Sequence, residues 1–492
     1  MSTVEIPITG LPYDQIKIQK VPASPEYIPR PPELVPSANR AVVINPNRTC
    51  MPLGAMWAVL GVRRAIPFVQ GAQGCTTYVR YTFCRVFKEP ATIATASFHE
   101  DAAVFGGRRN LVEGLRNLVL RYWPELIGVV TTCSSEIIGD DMVSFIKMAR
   151  SQLRKEIGTE KAERIPIVLV NTPSFAGSHV EGYNRAARAF VESLAVPGGR
   201  PNGRVNIIPG LLYPGDIREI KHLLRHMEIE GIVLFDISDT LDAPLAPPTT
   251  MPYYPPGGTP VEAIRDMANS LATFALQPHA GQAGAVYLER RYGVKAVIGP
   301  PPLGVRATDE FLARLSELTG RPVPRALLDE RGRLIDFLAD ALHHTMMKKV
   351  AVMGDPDTVL GVTGFLLEMG MEPVALASGT ASKTFTHDAE RLLAQAEYRG
   401  EAPLILNGGD LFEFEEYLKQ QPRLDLILGN SRAVDIAREL RVPLVRVGFP
   451  IYDRFGYQKR PIVGYRGGEL LLMEIVNALL DYQYPDDRTQ QL

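Results

Sequence analysis

All four cysteines of this 492-residue chain fall between residues 50 and 133, at Cys50, Cys75, Cys84 and Cys133. Cysteine thiolates are the usual ligands of iron–sulfur clusters. The spacing matches neither a C-x-x-C pair nor a zinc pattern. Cys50, Cys75 and Cys133 lie close to glycine, proline or an expected strand end, so we interpret these three as candidate cluster ligands. The alternative is that they are small buried apolar residues.

The segments around these cysteines predict how the backbone positions them. Gly54, Gly71 and Gly74 allow the main chain to approach a bound group without an obstructing Cβ atom. The apolar run 126–130 is typical of a buried parallel strand. Cys133 follows that strand, and the carboxyl ends of such strands border the crevice where open α/β sheets bind ligands.

The fourth cysteine is expected to have a different role. Cys84 is flanked by Phe83 and Arg85 in an aromatic and basic run. We therefore predict that Cys84 is a packing residue and not a ligand.

The pattern along the chain predicts three α/β domains. Apolar strand-like runs alternate with helical patterns, and that alternation favours Rossmann-like doubly wound parallel sheets. We expect an extended, proline-rich arm at 1–40, a cluster-bearing domain at 41–200, a second domain at 201–346, and a third domain with a C-terminal helix at 347–492. The composition of the arm fits a disordered tail equally well. Three such sheets would leave a crevice where they meet, and we expect the cluster there.

Composition and charge exclude several function classes. The formal net charge is −2, so the chain has no overall basic excess to suggest binding of nucleic acid. No apolar run reaches the roughly 18 residues of a membrane helix, and the N-terminal segment lacks the pattern of a secretory signal. We expect a cytoplasmic protein with no membrane partner.

Several motifs resemble one known family along nearly the whole chain. The cysteine segments read N-P-N-R-T-C-M-P-L-G-A, V-Q-G-A-Q-G-C-T-T-Y-V-R and V-V-T-T-C-S-S-E-I-I-G-D-D, and H-E-D-A-A-V-F-G-G lies between the last two. N-T-P-S-F-A-G-S-H begins at Asn171, and V-P-L-V-R-V-G-F-P-I-Y-D-R begins at Val442. In order and content these motifs resemble the β-type subunit of component 1 of nitrogenase and its relatives.

The resemblance implies a cofactor and its ligands. In that family an 8Fe-7S cluster of the P type is shared between a β-type and an α-type chain, and the positions that match its cysteines are Cys50, Cys75 and Cys133. Ser174 matches a serine that binds iron when the cluster is oxidised, since harder, more oxidised iron favours an alkoxide oxygen. The alternative for Ser174 is a turn serine.

The resemblance also implies partners. The expected assembly is an α2β2 heterotetramer that receives electrons from an ATP-dependent 4Fe-4S reductase homodimer. Phe105 matches an aromatic residue on the face where that reductase docks, although a core role is the alternative. Tyr78 and Arg80, just after Cys75, are expected between the cluster and the partner chain.

A second metal position is implied at an interface between two β-type chains. Asp336 and Asp340 are four residues apart, so a helix would place both on one face. In the family the matching carboxylates, with Glu89 from the other chain, bind a hard cation such as calcium or iron. The alternative is a solvated acidic helix face.

The expected role of the chain is electron relay, because the family's catalytic cofactor belongs to the α-type chain. Dinitrogen-reducing relatives usually carry glutamine and histidine where this chain has Met51 and Gln70. These departures favour a nitrogenase-like reductase that cleaves C–S bonds of methylthio-alkanes. The alternatives are a true nitrogenase β subunit of the molybdenum, vanadium or iron-only type, and, from another class, a non-catalytic scaffold for cofactor assembly.

Overall fold

The computed structural model describes residues 43–198, 200–245 and 253–483. The expected arm at 1–40 lies outside these ranges. Within them, every strand pairing in the three sheets is parallel. The predicted α/β fold with three doubly wound parallel sheets is therefore confirmed.

The first sheet has four strands in the order β2-β1-β3-β4. Its central strands β1 and β3 are buried at every position, which agrees with their continuous apolar sequence. The strands are β1 Ala65–Gln70, β2 Ala94–Thr95, β3 Leu126–Thr131 and β4 Ile167–Val170. The helices are α1 Met51–Leu60, α2 Gln73–Phe87, α3 Glu100–Phe105, α4 Arg108–Tyr122, α5 Cys133–Ile138, α6 Met142–Ile157, α7 Thr159–Glu163 and α8 His179–Leu194.

The second sheet repeats this topology in the order β6-β5-β7-β8. Its strands are β5 Val205–Ile208, β6 Gly231–Val233, β7 Ala272–Ala275 and β8 Lys295–Ile298. The helices of this part of the chain are α9 Pro214–His226, α10 Val261–Asp266, α11 Pro278–Tyr292, α12 Gly304–Thr319 and α13 Arg325–Thr345.

The third sheet has five strands in the order β11-β10-β9-β12-β13, in which the chain starts at the centre and winds out to both edges. Its strands are β9 Lys349–Gly354, β10 Glu372–Ser378, β11 Leu404–Asn407, β12 Leu426–Gly429 and β13 Leu444–Arg446. Its helices are α14 Pro356–Glu368, α15 Phe385–Gln395, α16 Leu411–Lys419, α17 Val434–Leu440 and α18 Gly464–Gln483.

Helix α1 is the buried element that links the first sheet to its surroundings. All ten of its residues are buried, and it packs closely against α8. A Cβ atom on Gly54 would lie 1.8 Å from the carbonyl oxygen of His179, and one on Gly182 would lie 1.9 Å from that of Met51. Only glycine allows this approach, and the contact determines where Cys50, just before α1, is placed.

Helix α18 connects the second and third sheets. It contacts α13, α12 and α9, and its residues Leu471, Leu472, Ile475 and Leu479 are buried. In the described ranges, no helix has both the length and the apolar character needed to cross a bilayer.

Candidate cluster-binding site

The carboxyl edge of the first sheet brings three of the predicted ligands together. Strands β1, β3 and β4 are parallel neighbours, so their carboxyl ends open on the same side. Cys75 lies in the first turn of α2 after β1, Cys133 is the first residue of α5 after β3, and Ser174 begins a 3-10 helix after β4. This is the edge at which open α/β sheets hold ligands.

Cys50 reaches this edge from the other direction. It forms an isolated antiparallel bridge with Ser178, beside the start of α8. The backbone nitrogen of Met51 donates a hydrogen bond of 3.2 Å to the hydroxyl of Ser174. The first predicted cysteine and the predicted serine therefore lie on adjoining segments.

The turns that carry Cys75 and Cys133 are in direct contact. The Thr132 hydroxyl donates a 2.8 Å hydrogen bond to the carbonyl of Gln70, joining the ends of β3 and β1. A Cβ atom on Gly71 would lie 2.4 Å from that hydroxyl oxygen. Gly71 therefore lets the two turns come together, as expected for a backbone cradle.

The three thiols influence one another electrostatically. The pKa of the Cys50 thiol is raised to about 11, because burial and the charges of Cys75 and Cys133 outweigh the opposing hydrogen bond from the Leu53 amide. Burial and the charge of Cys133 raise the pKa of Cys75. Three thiolates held this close oppose one another's ionisation unless a positive group lies among them.

The spacing of these thiols distinguishes between kinds of metal site. A single metal ion needs its ligand atoms within about 4.8 Å of one another, and among the described residues no three cysteines meet this condition. The charges of the three thiols therefore interact, but the sulfur atoms are too far apart to be ligands of one ion. A larger, cationic inorganic group among Cys50, Cys75 and Cys133 fits both observations.

The third sheet also contributes to this site. Arg432, after β12, donates hydrogen bonds to the carbonyls of Pro46 and Arg48 in the segment that precedes Cys50. Asn430 donates to the side-chain oxygen of Asn47 over 3.1 Å. These contacts could not be predicted from the sequence, because no local pattern pairs segments more than 380 residues apart.

Helix α2 presents an exposed face beside the site. Tyr78 and Arg80 are exposed on it, and their position between the cluster and a partner chain stays a prediction. Burial of its ring and the charge of Cys50 raise the pKa of Tyr78, and Arg432 opposes this shift. Cys84 is exposed on the same helix, so the prediction that Cys84 is a packing residue is wrong. The exposed side of α2 carries Cys84, and Phe83 takes the core position.

Phe105 lies at the surface and not in the core. It is the last residue of α3 and 87% exposed. The following loop is held in place, because the amide of Gly107 donates to the carboxylate of Asp140 over 3.0 Å. Gln70 donates to Asp140 and to the Gly107 carbonyl, both over 3.1 Å. The end of β1 is thus tied directly to the loop that displays Phe105.

The three predicted carboxylates do not meet within one chain. Asp336 and Asp340 are both exposed on α13, and Glu89 is half-buried just after α2. Burial and the charge of Asp242 raise the pKa of Glu89, and Lys459 lowers it. Among the described side chains, these three carboxylates form no common group of ligand atoms. A site built from all three requires a second chain.

Comparison with known proteins gives the same family. The model of the family described as "Nitrogenase component 1 type Oxidoreductase" matches residues 50–480. The chain is 47% identical over 457 residues to the nitrogenase molybdenum-iron protein beta chain of Methanococcus maripaludis, covering 92% of this chain and 98% of that one. It is 41% identical over 456 residues to the nitrogenase vanadium-iron protein beta chain of Trichormus variabilis, covering 91% and 96%. The solved structure "Nitrogenase Cp1 at pH 6.5" superposes with a TM-score of 0.86 at 38% identity, covering 95% of this chain and 98% of that one.

Proposed function

This chain belongs to the nitrogenase component 1 family of oxidoreductases, and we propose that it is a β-type subunit that relays electrons to a catalytic cofactor in an α-type partner. The observation that carries the proposal is the convergence of Cys50, Cys75 and Cys133 at the edge of the first sheet, with Ser174 beside Cys50. The relatives named above are nitrogenase β chains of the molybdenum and vanadium types.

The proposed cofactor is an 8Fe-7S cluster of the P type, half of it held by this chain. The residues present fit such a group, because the charges of the three cysteines interact while their sulfur atoms do not all lie within 4.8 Å of one another, as the ligands of a single ion would. When bound, the cluster supplies electron transfer. The chain supplies three thiolates, while Gly71 admits the backbone and Ser174 offers a hydroxyl near Cys50.

The proposed partners follow from two exposed surfaces. The exposed face of α2, with Cys75, Tyr78 and Arg80, lies beside the cluster site and is proposed to contact the α-type chain in an α2β2 assembly. Phe105 is proposed to contact the ATP-dependent reductase, because an exposed aromatic side chain on an anchored loop is a typical interface anchor. Cytoplasmic location and the domain boundaries at residues 200 and 346 stay predictions.

We propose dinitrogen as the reduced substrate, since the 47% identical relative is a molybdenum-iron β chain. The second candidate is the reductive C–S cleavage of methylthio-alkanes. This candidate is favoured by Gln70, because family members that reduce dinitrogen usually carry histidine at this position. The side-chain amide of Gln70 donates hydrogen bonds to the Gly107 carbonyl and to Asp140. A deletion strain distinguishes the two substrates: loss of growth on dinitrogen as nitrogen source supports the first, and loss of growth on a small thioether as sulfur source supports the second.

Elemental analysis of the anaerobically purified complex tests the relay role. A P-type cluster predicts about eight irons per αβ pair beyond those of the catalytic cofactor, with a redox-active spectrum. A cofactor-assembly scaffold predicts fewer irons, from a simpler cluster. Colourless, iron-free protein after anaerobic purification would contradict both roles.

We also propose that Glu89 of one chain and Asp336 and Asp340 of another bind a calcium or iron ion. Oxygen-only ligands suit such cations, and exposed apolar residues flank the two aspartates on α13, including Ile335 and Phe337. The double variant Asp336→Asn/Asp340→Asn should lose one ion per chain, because two-fold symmetry creates two such sites in each pair of chains, and it should weaken dimerisation of αβ pairs. The variant Asp329→Asn, on the same helix, is the control, and equal ion content in both variants would contradict the proposal.

A further inference from the structure

A second group of possible metal ligands lies on α9 and α13, away from the cysteines. His222 and His226 are four residues apart on α9, so they share one face of the helix, and their ring centroids are 4.4 Å apart. Glu330, from α13, faces them. One ligand atom from each of the three lies within 4.8 Å of the other two.

The contacts of Glu330 leave one of its oxygens unsatisfied. Its Oε1 lies 2.9 Å from Nε2 of His222. Its Oε2 is buried without a hydrogen-bonding partner, and the side chain is only 9% exposed. A buried carboxylate oxygen without a partner destabilises the folded state, and a bound cation beside Oε2 of Glu330 would remove that cost. Among the described residues, the ring of His226 has no hydrogen-bonding partner either. Glu330 and His226 therefore each have an atom that is free to bind a metal ion.

The surroundings carry excess negative charge. Glu219 and Glu469 each have a buried carboxyl oxygen without a partner. The pKa of Glu219 is raised to about 7, because burial and the charge of Glu330 outweigh the opposing charge of Arg466. Arg466 is half exposed and lies 3.6 Å from the other oxygen of Glu219. Two exposed guanidiniums, those of Arg466 and Arg333, offset the three carboxylates of Glu219, Glu330 and Glu469 only in part, so an additional cation would be favoured here.

We propose that His222, His226 and Glu330 bind a divalent metal ion of the zinc class. Two imidazoles and one carboxylate are a common zinc ligand set, and tetrahedral geometry at bond lengths of about 2.1 Å separates ligand atoms by about 3.4 Å. The present 2.9 Å between His222 and Glu330 therefore needs to open only slightly to admit the ion. The partial exposure of His222 and His226 leaves a fourth position open to water.

Such an ion would clamp α9 to α13. Glu330 precedes Asp336 and Asp340 on the same helix, so the metal would hold rigid the element that carries the proposed inter-chain cation site. The zinc site itself depends on neither the cluster nor the reaction.

Zinc binding by the complete protein tests this proposal. The chain would be purified anaerobically with its partners, treated with a mild chelator that leaves cluster iron in place, and dialysed against zinc chloride. Zinc and iron would then be counted in the same samples. We expect one zinc per chain in the wild type. Loss of a metal ligand should raise the Kd at least about 100-fold in His226→Ala and in Glu330→Gln, with iron content unchanged.

Two control variants address binding elsewhere. His387→Ala removes an exposed histidine on α15, and Cys84→Ser removes an exposed thiol that is not a proposed cluster ligand, so both should keep wild-type zinc affinity. Zinc that disappears only in Cys84→Ser would be adventitious and would overturn the proposal. Equal zinc in the wild type and both ligand variants, or no zinc in any of them, would show that His222 and Glu330 form only a hydrogen-bonded pair.

Discussion

The hydroxyl oxygen of Ser174 lies 3.2 Å from the backbone nitrogen of Met51, the residue after Cys50. The two residues are 123 positions apart, yet the contact places the candidate serine ligand beside the first candidate cysteine ligand. Their proximity explains how one chain can offer sulfur and oxygen to the same inorganic group.

The variant Ser174→Ala tests this relationship. We expect the cluster to assemble and the reduced spectrum to be unchanged, because the three thiolates remain. The oxidised spectrum and its midpoint potential should change, since only oxidised iron favours the alkoxide. Loss of one hydrogen bond should lower the free energy of unfolding by only about 1 kcal/mol. Ser151→Ala, on the exposed face of α6, is the control. Identical oxidised spectra in all three proteins would argue against a ligand role.

Replacement of the cysteines should separate ligands from bystanders. In Cys75→Ala and Cys133→Ala we expect most of the cluster iron to be lost, because each thiolate is proposed to bind iron directly. Cys84→Ala should retain wild-type iron, since Cys84 is exposed nine residues further along α2. Iron per chain and the visible absorption of anaerobic protein are the measurements. Full iron content in Cys75→Ala would refute the assignment.

Phe105→Ala should weaken docking of the reductase without affecting the fold. The side chain is 87% exposed, so its removal leaves no cavity. Loss of an aromatic interface anchor typically costs 1 to 2 kcal/mol, so we expect about a tenfold higher reductase concentration at half-maximal turnover. Maximal turnover at saturating reductase should change little. Phe455→Ala, which removes an equally exposed ring, is the control. The same half-maximal concentration in both variants would contradict the docking role.

A buried pair between the second and third sheets should make stability depend on pH. His279, at the start of α11, lies 2.8 Å from Asp357 in the first turn of α14. Burial lowers the pKa of His279, but the hydrogen bond and charge of Asp357, with the charge of Asp388, outweigh burial and raise it. The His279–Asp357 pair therefore contributes its full stabilisation below the ordinary histidine pKa of about 6.5. That stabilisation is lost as the pH rises through the raised pKa of His279 in the folded protein.

The measurement is the thermal unfolding midpoint of the wild type and of His279→Asn between about pH 6 and about pH 9. The advantage of the wild type should be largest at the acidic end and shrink toward the alkaline end. Asp357→Asn, which removes the partner charge, should abolish most of this pH dependence. A constant difference across the range would show that the imidazolium contributes nothing.

Much of the fold was predictable because it depends on short-range patterns. The apolar run before Cys133 is strand β3, and the leucines at 111, 115 and 118 form the buried side of α4. Parallel pairing follows from the alternation of strands and helices, and it places Cys75, Cys133 and Ser174 at the same edge. The role of Cys84 was mistaken because flanking residue types do not determine which face of a helix is exposed.

The amino-acid sequence by itself determined the strand-end positions of the candidate ligands and the parallel sheets, since periodicity and strand length are local properties. Only the tertiary structure decided that Ser174 meets Met51, that Arg432 holds the segment before Cys50, and that Glu330 faces His222 across 108 residues. Such contacts depend on how helices and loops pack over long separations, and side-chain packing of this kind leaves no periodic signal in the chain.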